Sequence, residues 1–157
     1  MADTRGLKIL DAVAARLAVA TVTVNGVVRT KPAGLNVYRF RTRSIQAESL
    51  PAIVVSWMED LNPVRRATGV LDRTVRVAVE HIGKVTAGTA PDRATDALKS
   101  WAELALMSEE TLGGLASQVT VQGTRPLSEE GEQAFFWTMT PFDIQYVTKD
   151  NDPEAAP

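Results

Sequence analysis

Between Tyr38 and Arg43 the chain reads Tyr-Arg-Phe-Arg-Thr-Arg. In extended backbone alternate side chains share a face, so Arg39, Arg41 and Arg43 form a basic stripe backed by the aromatics. The chemistry of such a stripe is recognition. Arginine is enriched at protein interfaces, which favours the acidic surface of a protein partner. The same alternation suits phosphate contacts with base stacking, so a nucleic-acid-binding module is the alternative from a different class. A sequence pI near 5.5 opposes it, because the many carboxylates would repel phosphate.

Signatures of catalysis are weak. His81 is the single histidine, and without neighbouring His, Cys or spaced carboxylates it reads as a core or strand-end residue. Glu59-Asp60 and Glu109-Glu110 are adjacent carboxylates, and adjacent side chains on a strand or helix point apart. Gly113-Gly114 lacks the following lysine of a phosphate loop, and no serine occupies a Gly-x-Ser-x-Gly turn. The expectation is a protein that is not an enzyme, with no cofactor, metal or catalytic residues.

Charge is polarised along the chain. Ala12 to Ala47 holds six bases (Arg16, Arg29, Lys31, Arg39, Arg41, Arg43) and no acid, whereas Ser108 to Pro157 holds nine carboxylates against Arg125 and Lys149. The whole chain nets only -2. Such a distribution suits docking of copies head to tail, or a position between two unlike partners. Arg29, Lys31, Arg39, Arg41 and Arg43 are therefore the candidate partner-binding residues, and Glu109, Glu110, Glu129, Glu130 and Glu132 the candidate acidic counter-surface. The 157 residues suit one domain with its own core. The absence of cysteine excludes disulfides and thiolate zinc sites. Asp3 and Asp11 in a short amphipathic stripe oppose a signal peptide or membrane span, leaving synthesis in the cytoplasm as the expectation.

The elements that must carry these residues follow from periodicity. Leu7, Leu10, Val13, Ala14 and Leu17 recur at helical steps over residues 4–18, with Asp3 available as N-cap. Valines alternate over Thr21–Arg29 around Asn25-Gly26, which predicts a hairpin. Residues 30–50 read as an extended arm. Leu50–Trp57 is continuously apolar, as for a strand covered on both faces, and Asn62-Pro63 marks a turn. Leu71, Val75, Val77 and Val79 alternate as a half-buried strand. Thr89, Pro91 and Asp92 begin a helix whose inward stripe is Ala94, Ala97, Leu98, Trp101, Leu104 and Ala105. A short helical turn is expected over Ser108–Leu115, weakened by Gly113-Gly114. Val119 and Val121 mark a strand, and residues 134–148 a final one. In that last strand apolar parity switches from Phe135, Trp137 and Met139 to Phe142, Ile144 and Tyr146, which predicts a β-bulge near Thr140-Pro141 and a partly unpaired proline. Trp57, Trp101 and Trp137 all fall on inward stripes, and residues 149–157 read as a disordered acidic tail. The sum is a single α+β domain over 1–148: a mixed, mostly antiparallel sheet with two main helices on one face, plus the arm.

This order of elements, with the Leu50-Pro51-Ala52-Ile53-Val54-Val55 strand, the valine-rich strand Val75–Val79, the helix near Pro91, Leu112-Gly113-Gly114 and the aromatic last strand with Ile144, Tyr146 and Thr148, resembles the tail terminator (tail-completion) proteins of long-tailed bacteriophages. The resemblance implies a virion assembly protein that forms a hexameric ring on the tail tube, stops its polymerisation and presents a surface to a head-completion or connector protein. DNA would only pass through the lumen, and no membrane is involved. It implies a place at the head-proximal end of the tail, reached from the host cytoplasm. A head-tail connector or other neck protein is the alternative within virion components.

Overall fold

The structure, a computed structural model, describes residues 4–40, 46–66, 69–88, 90–127, 135–150 and 152–157. Helix α1 spans Arg5–Ala18 and is capped by Thr4, whose side chain accepts a hydrogen bond from the Leu7 amide; the expected cap, Asp3, lies outside the described residues. Its apolar stripe buries Ile9, Leu10, Val13 and Leu17. A two-stranded antiparallel hairpin follows, β1 (Thr21–Val24) and β2 (Val27–Thr30), turning through Asn25 and Gly26 at φ of 51° and 76°. Two successive residues with positive φ are what a two-residue primed turn demands, so Asn-Gly fixes this hairpin locally.

The main sheet has six strands. Five run in the order β3 (Asn36–Tyr38), β4 (Ala52–Arg66), β5 (Val70–Lys84), β8 (Phe135–Lys149) and β6 (Gln118–Val121), and β7 (Arg125–Pro126) also pairs with β8. Only β3–β4 is parallel. Part of the expected arm is thus built into the sheet as β3, and a short 3₁₀ turn covers Ala47–Ser49. Helix α2 (Arg93–Met107) is capped by Asp92, while Thr89 lies outside the described residues. Both helices pack on one face of the mixed sheet, giving the α+β architecture.

That face carries Ile53, Val55, Val75, Val77, Val79, Phe142 and Ile144, all buried. Burial of each large side chain contributes about 1.5–3 kcal/mol. The α2 stripe is Thr95, Leu98, Trp101, Ala102, Ala105 and Leu106. Ala97, expected inward, is exposed, because the helix turns its Thr95 flank to the sheet. The Trp101 indole N–H donates to the Leu17 carbonyl at 2.9 Å, tying α2 to the end of α1. Arg16 reaches across to the Ala105 carbonyl and the Ser108 hydroxyl, so this member of the basic run closes the end of α2.

Three sequence expectations are corrected. Pairing of β5 with β8 is unbroken from Val70↔Lys149 to Lys84↔Phe135, with no bulge at Thr140-Pro141. The parity switch is absorbed because this end of the sheet is buried on both sides. Met139 joins Ala52, Val54 and Ile82 on the helix-free face, while Thr138 and Thr140 fill the helix face. Pro141 falls in the gap between the β6 and β7 pairings, where its missing N–H costs no ladder bond on that side. The irregularities lie in β4, at Trp57/Glu59 and Leu61/Val64, so Asn62-Pro63 is a bulge in a continuing strand and not a turn. Residues 108–115 form turns without helix, with Leu112, Gly113 and Gly114 at positive φ and Leu112 buried as a core corner.

The expected disordered tail folds back. Asp152 bridges to Lys149, its carboxylate accepts from the Glu154 and Ala155 amides, and the Pro153 carbonyl accepts from the Arg5 amide at 3.3 Å. The acidic C-terminus therefore lies at the start of α1.

Candidate assembly surfaces

The structure separates the basic residues that sequence grouped together. Arg29 lies on β2 opposite Val22, exposed and without an ion-pair partner among the described residues. Lys31 is half-buried; its ammonium approaches the Ala18 carbonyl at 3.5 Å, beside the end of α1. Arg39 is not part of a free stripe: it pairs with Asp11 at 2.7 Å and donates to the Val55 carbonyl at 3.2 Å. Its guanidinium continues, as a side chain, the pairing that β3 makes with the outer edge of β4, and so ends that pairing. Arg41 and Arg43 lie outside the described residues. Of the acidic set, Glu109 turns back on its own loop, accepting from the Thr111 hydroxyl and from the Gly113 amide at 3.0 Å. Glu110 is half-buried nearby, and Glu129, Glu130 and Glu132 lie outside the described residues.

What the folded chain does bring together is a groove at the N-terminal end of α1, with a volume of about 330 Å³. Leu7 and Leu10 of α1 form one wall, and Trp57, Val75 and Tyr146 of the sheet form the other, with Arg39 and Asp60 at the rim. Gly6 lets the helix lie close, since a Cβ there would stand 3.3 Å from the Tyr146 hydroxyl oxygen. Burial, helped by the Asp60 carboxylate, pushes the Tyr146 hydroxyl pKa up and keeps it neutral. Trp57 has the inward parity expected of it, facing Val77, yet is 57% exposed. The reason is its place on the outer edge of β4, past the end of β3 and at the margin of the cover that α1 provides. No sequence periodicity distinguishes an inward residue on a covered strand from one on a free edge.

A second groove, about 480 Å³, runs between the hairpin and the outer flank of α2, lined by Val24, Leu104, Met107 and Glu103. Beside it Val27 and Val28 stand 50% and 63% exposed on the hairpin. On the helix-free face, Arg76 makes two bonds to Asp143, at 2.7 and 2.9 Å, and one to Glu59 at 2.8 Å, and Gln122 completes the cluster through Asp143. The Asp143 hydrogen bonds hold the Arg76 guanidinium more firmly in its charged form.

His81 is buried beneath the helices, its Nδ1 3.3 Å from the Thr138 hydroxyl and its Nε2 without a hydrogen bond among the described residues. Burial, and next the Lys99 charge, lower its pKa to about 4. Among the described residues no group of three or more His, Asp or Glu side chains could hold a metal ion, and no helix is long and apolar enough to cross a membrane. No family model matches the chain, and no curated protein matches it. The arrangement as described offers surfaces for binding: one apolar groove with an unpaired acid, and a projecting hairpin with exposed valines and an unpaired base.

Proposed function

We propose that this protein is a phage tail terminator, a non-enzymatic virion assembly protein that closes as a ring on the tail tube, halts tube growth and offers a surface for head attachment. The observation that carries this reading is that two unlike exposed surfaces lie at opposite ends of α1. The groove with Trp57 is lined by Thr4, Gly6, Leu7 and Leu10, whereas the hairpin starts three residues after Ala18. A ring needs two different complementary patches per subunit, because a head-to-tail contact repeated around an axis uses one patch of each kind. Apolar side chains supply the burial that holds such a contact. Exposed ion pairs add only about 0–1 kcal/mol each and act mainly on orientation and partner choice. The resemblance in element order supports the same role. Its partners would be other copies of itself, the tube protein and a head-completion or connector protein.

The test is electron microscopy of tails assembled with and without the protein. Uniform tubes bearing a terminal disc in its presence, and overlong bare tubes in its absence, are expected. Normal capped tubes without it would overturn the proposal.

A further inference from the structure

Among the strand edges left open in the described residues, two lie beside exposed apolar side chains. β2 pairs only with β1 and is exposed at each of its four positions. The outer edge of β4 pairs with β3 only as far as Val54, Arg39 then occupies the Val55 carbonyl, and no described strand pairs with that edge beyond it. Open edges are templates for another strand, and proteins that keep them exposed either blunt them or use them. Here each lies beside exposed apolar side chains, Val27 and Val28 on the hairpin and Trp57 on β4.

The two cannot meet within one chain. A 14-residue helix is about 21 Å long, and the groove and hairpin sit at its two ends, with β1 held against α2. They also differ in charge. Arg29 is unpaired at the hairpin, while Asp60, likewise without an ion pair among the described residues, rims the groove. The folded-back tail adds Asp152 and Glu154 at the same end of α1. Arg39 in the groove is matched by Asp11, whereas Arg5 and Arg73, bonded to backbone carbonyls and to the Thr148 hydroxyl, also bring positive charge to Tyr146, so the acidic mark of the groove is local, at Asp60.

We infer that the occupant of the groove is the hairpin of a second copy, β2 lying along the open edge of β4 with Val27 against Trp57 and Arg29, on the same face of β2, toward Asp60. This rests on the ring reading and names its contact. The contact is heterologous, so every copy uses its hairpin on one neighbour and its groove on the other. Arg29 on one surface and Asp60 on the other then fix the direction in which copies join.

The chain lacks cysteine, so introduced thiols report this contact without background. Leu7 in the groove and Val27 on the hairpin are both exposed, and Leu7→Cys with Val27→Cys in one chain places a thiol on each surface. Oxidation of the double variant, free at high concentration and bound to tubes, should give a ladder of covalent multimers ending in a closed species, whereas each single variant should give no ladder. A folded double variant that yields no ladder in either sample overturns the contact, as does efficient dimerisation through Val27→Cys alone, which would mean a symmetric hairpin pairing. Tube capping is scored on the same samples. A ladder without capping leaves the contact standing and removes the terminator reading; capping without a ladder does the reverse.

Discussion

Burial makes the charged imidazolium of His81 costly, and the folded state is therefore sensitive to acid at this residue. The unfolded imidazole takes up a proton near pH 6.5, while in the folded chain the pKa is lowered to about 4. Between those values the unfolded state binds more protons, so stability falls as pH falls, by about 1.4 kcal/mol per unit and about 3 kcal/mol in all. Above pH 6.5 this contribution is fully present. Denaturant titrations at pH 7, 5.5 and 4.5 should show the decline, and His81→Leu should flatten it. An unchanged slope in that variant would mean that other groups carry the acid response. Sequence read His81 as a core or strand-end residue, since its parity is that of Val77 and Val79, and the structure places it in the core. Sequence could not do the same for Arg39, where parity within the arm suggests a free stripe. The Asp11 carboxylate and the Val55 carbonyl that claim the guanidinium come from elements 28 and 16 residues away.

At the scale of elements, what was legible is what depends on local periodicity and turn chemistry. The stripe of α1, the Asn25-Gly26 turn and the unbroken apolar start of β4 each declare themselves within a few residues. The register of one strand on another does not. Bulges were expected in β8 from its parity switch and occur in β4 instead, because a sheet buried on both faces at one end tolerates either parity there. Contact between α2 and the sheet depends on Gly83, which looks unremarkable inside a valine-rich strand. A Cβ at Gly83 would stand 2.1 Å from the Ala94 carbonyl oxygen, backbone that cannot yield without moving the first turn of α2. Gly83→Ala should therefore destabilise by about 3 kcal/mol, the upper end of ordinary overpacking. Equilibrium unfolding measures this directly, and a change below about 0.5 kcal/mol would show that the helix start is free to shift.

For the whole molecule, the exposed side chains bear on assembly more than on stability. Trp101 and Trp57 illustrate the division. The first is 2% exposed with its indole bonded to Leu17, the second 57% exposed at an open strand edge. A side chain more than half exposed at a strand edge contributes less to its own fold than a buried one, and its truncation costs less than the about 3–5 kcal/mol of a core tryptophan. Truncation of a central aromatic at a protein contact costs about 2 kcal/mol or more, a loss of at least thirtyfold in association. Trp57→Ala is thus expected to lose much less stability than Trp101→Ala, and to remain folded, while losing self-association and tube capping. Arg29→Glu should behave likewise, with the additional mark that raised salt narrows its difference from the unaltered chain, since the added repulsion is screened over about 8 Å at physiological ionic strength. Sedimentation at matched concentrations, paired with tube-length measurements, separates the possibilities. Loss of stability as large as that of Trp101→Ala alongside loss of assembly would place Trp57 in the fold. Retention of both would remove the β4 edge from the assembly surface and return attention to the groove between the hairpin and α2.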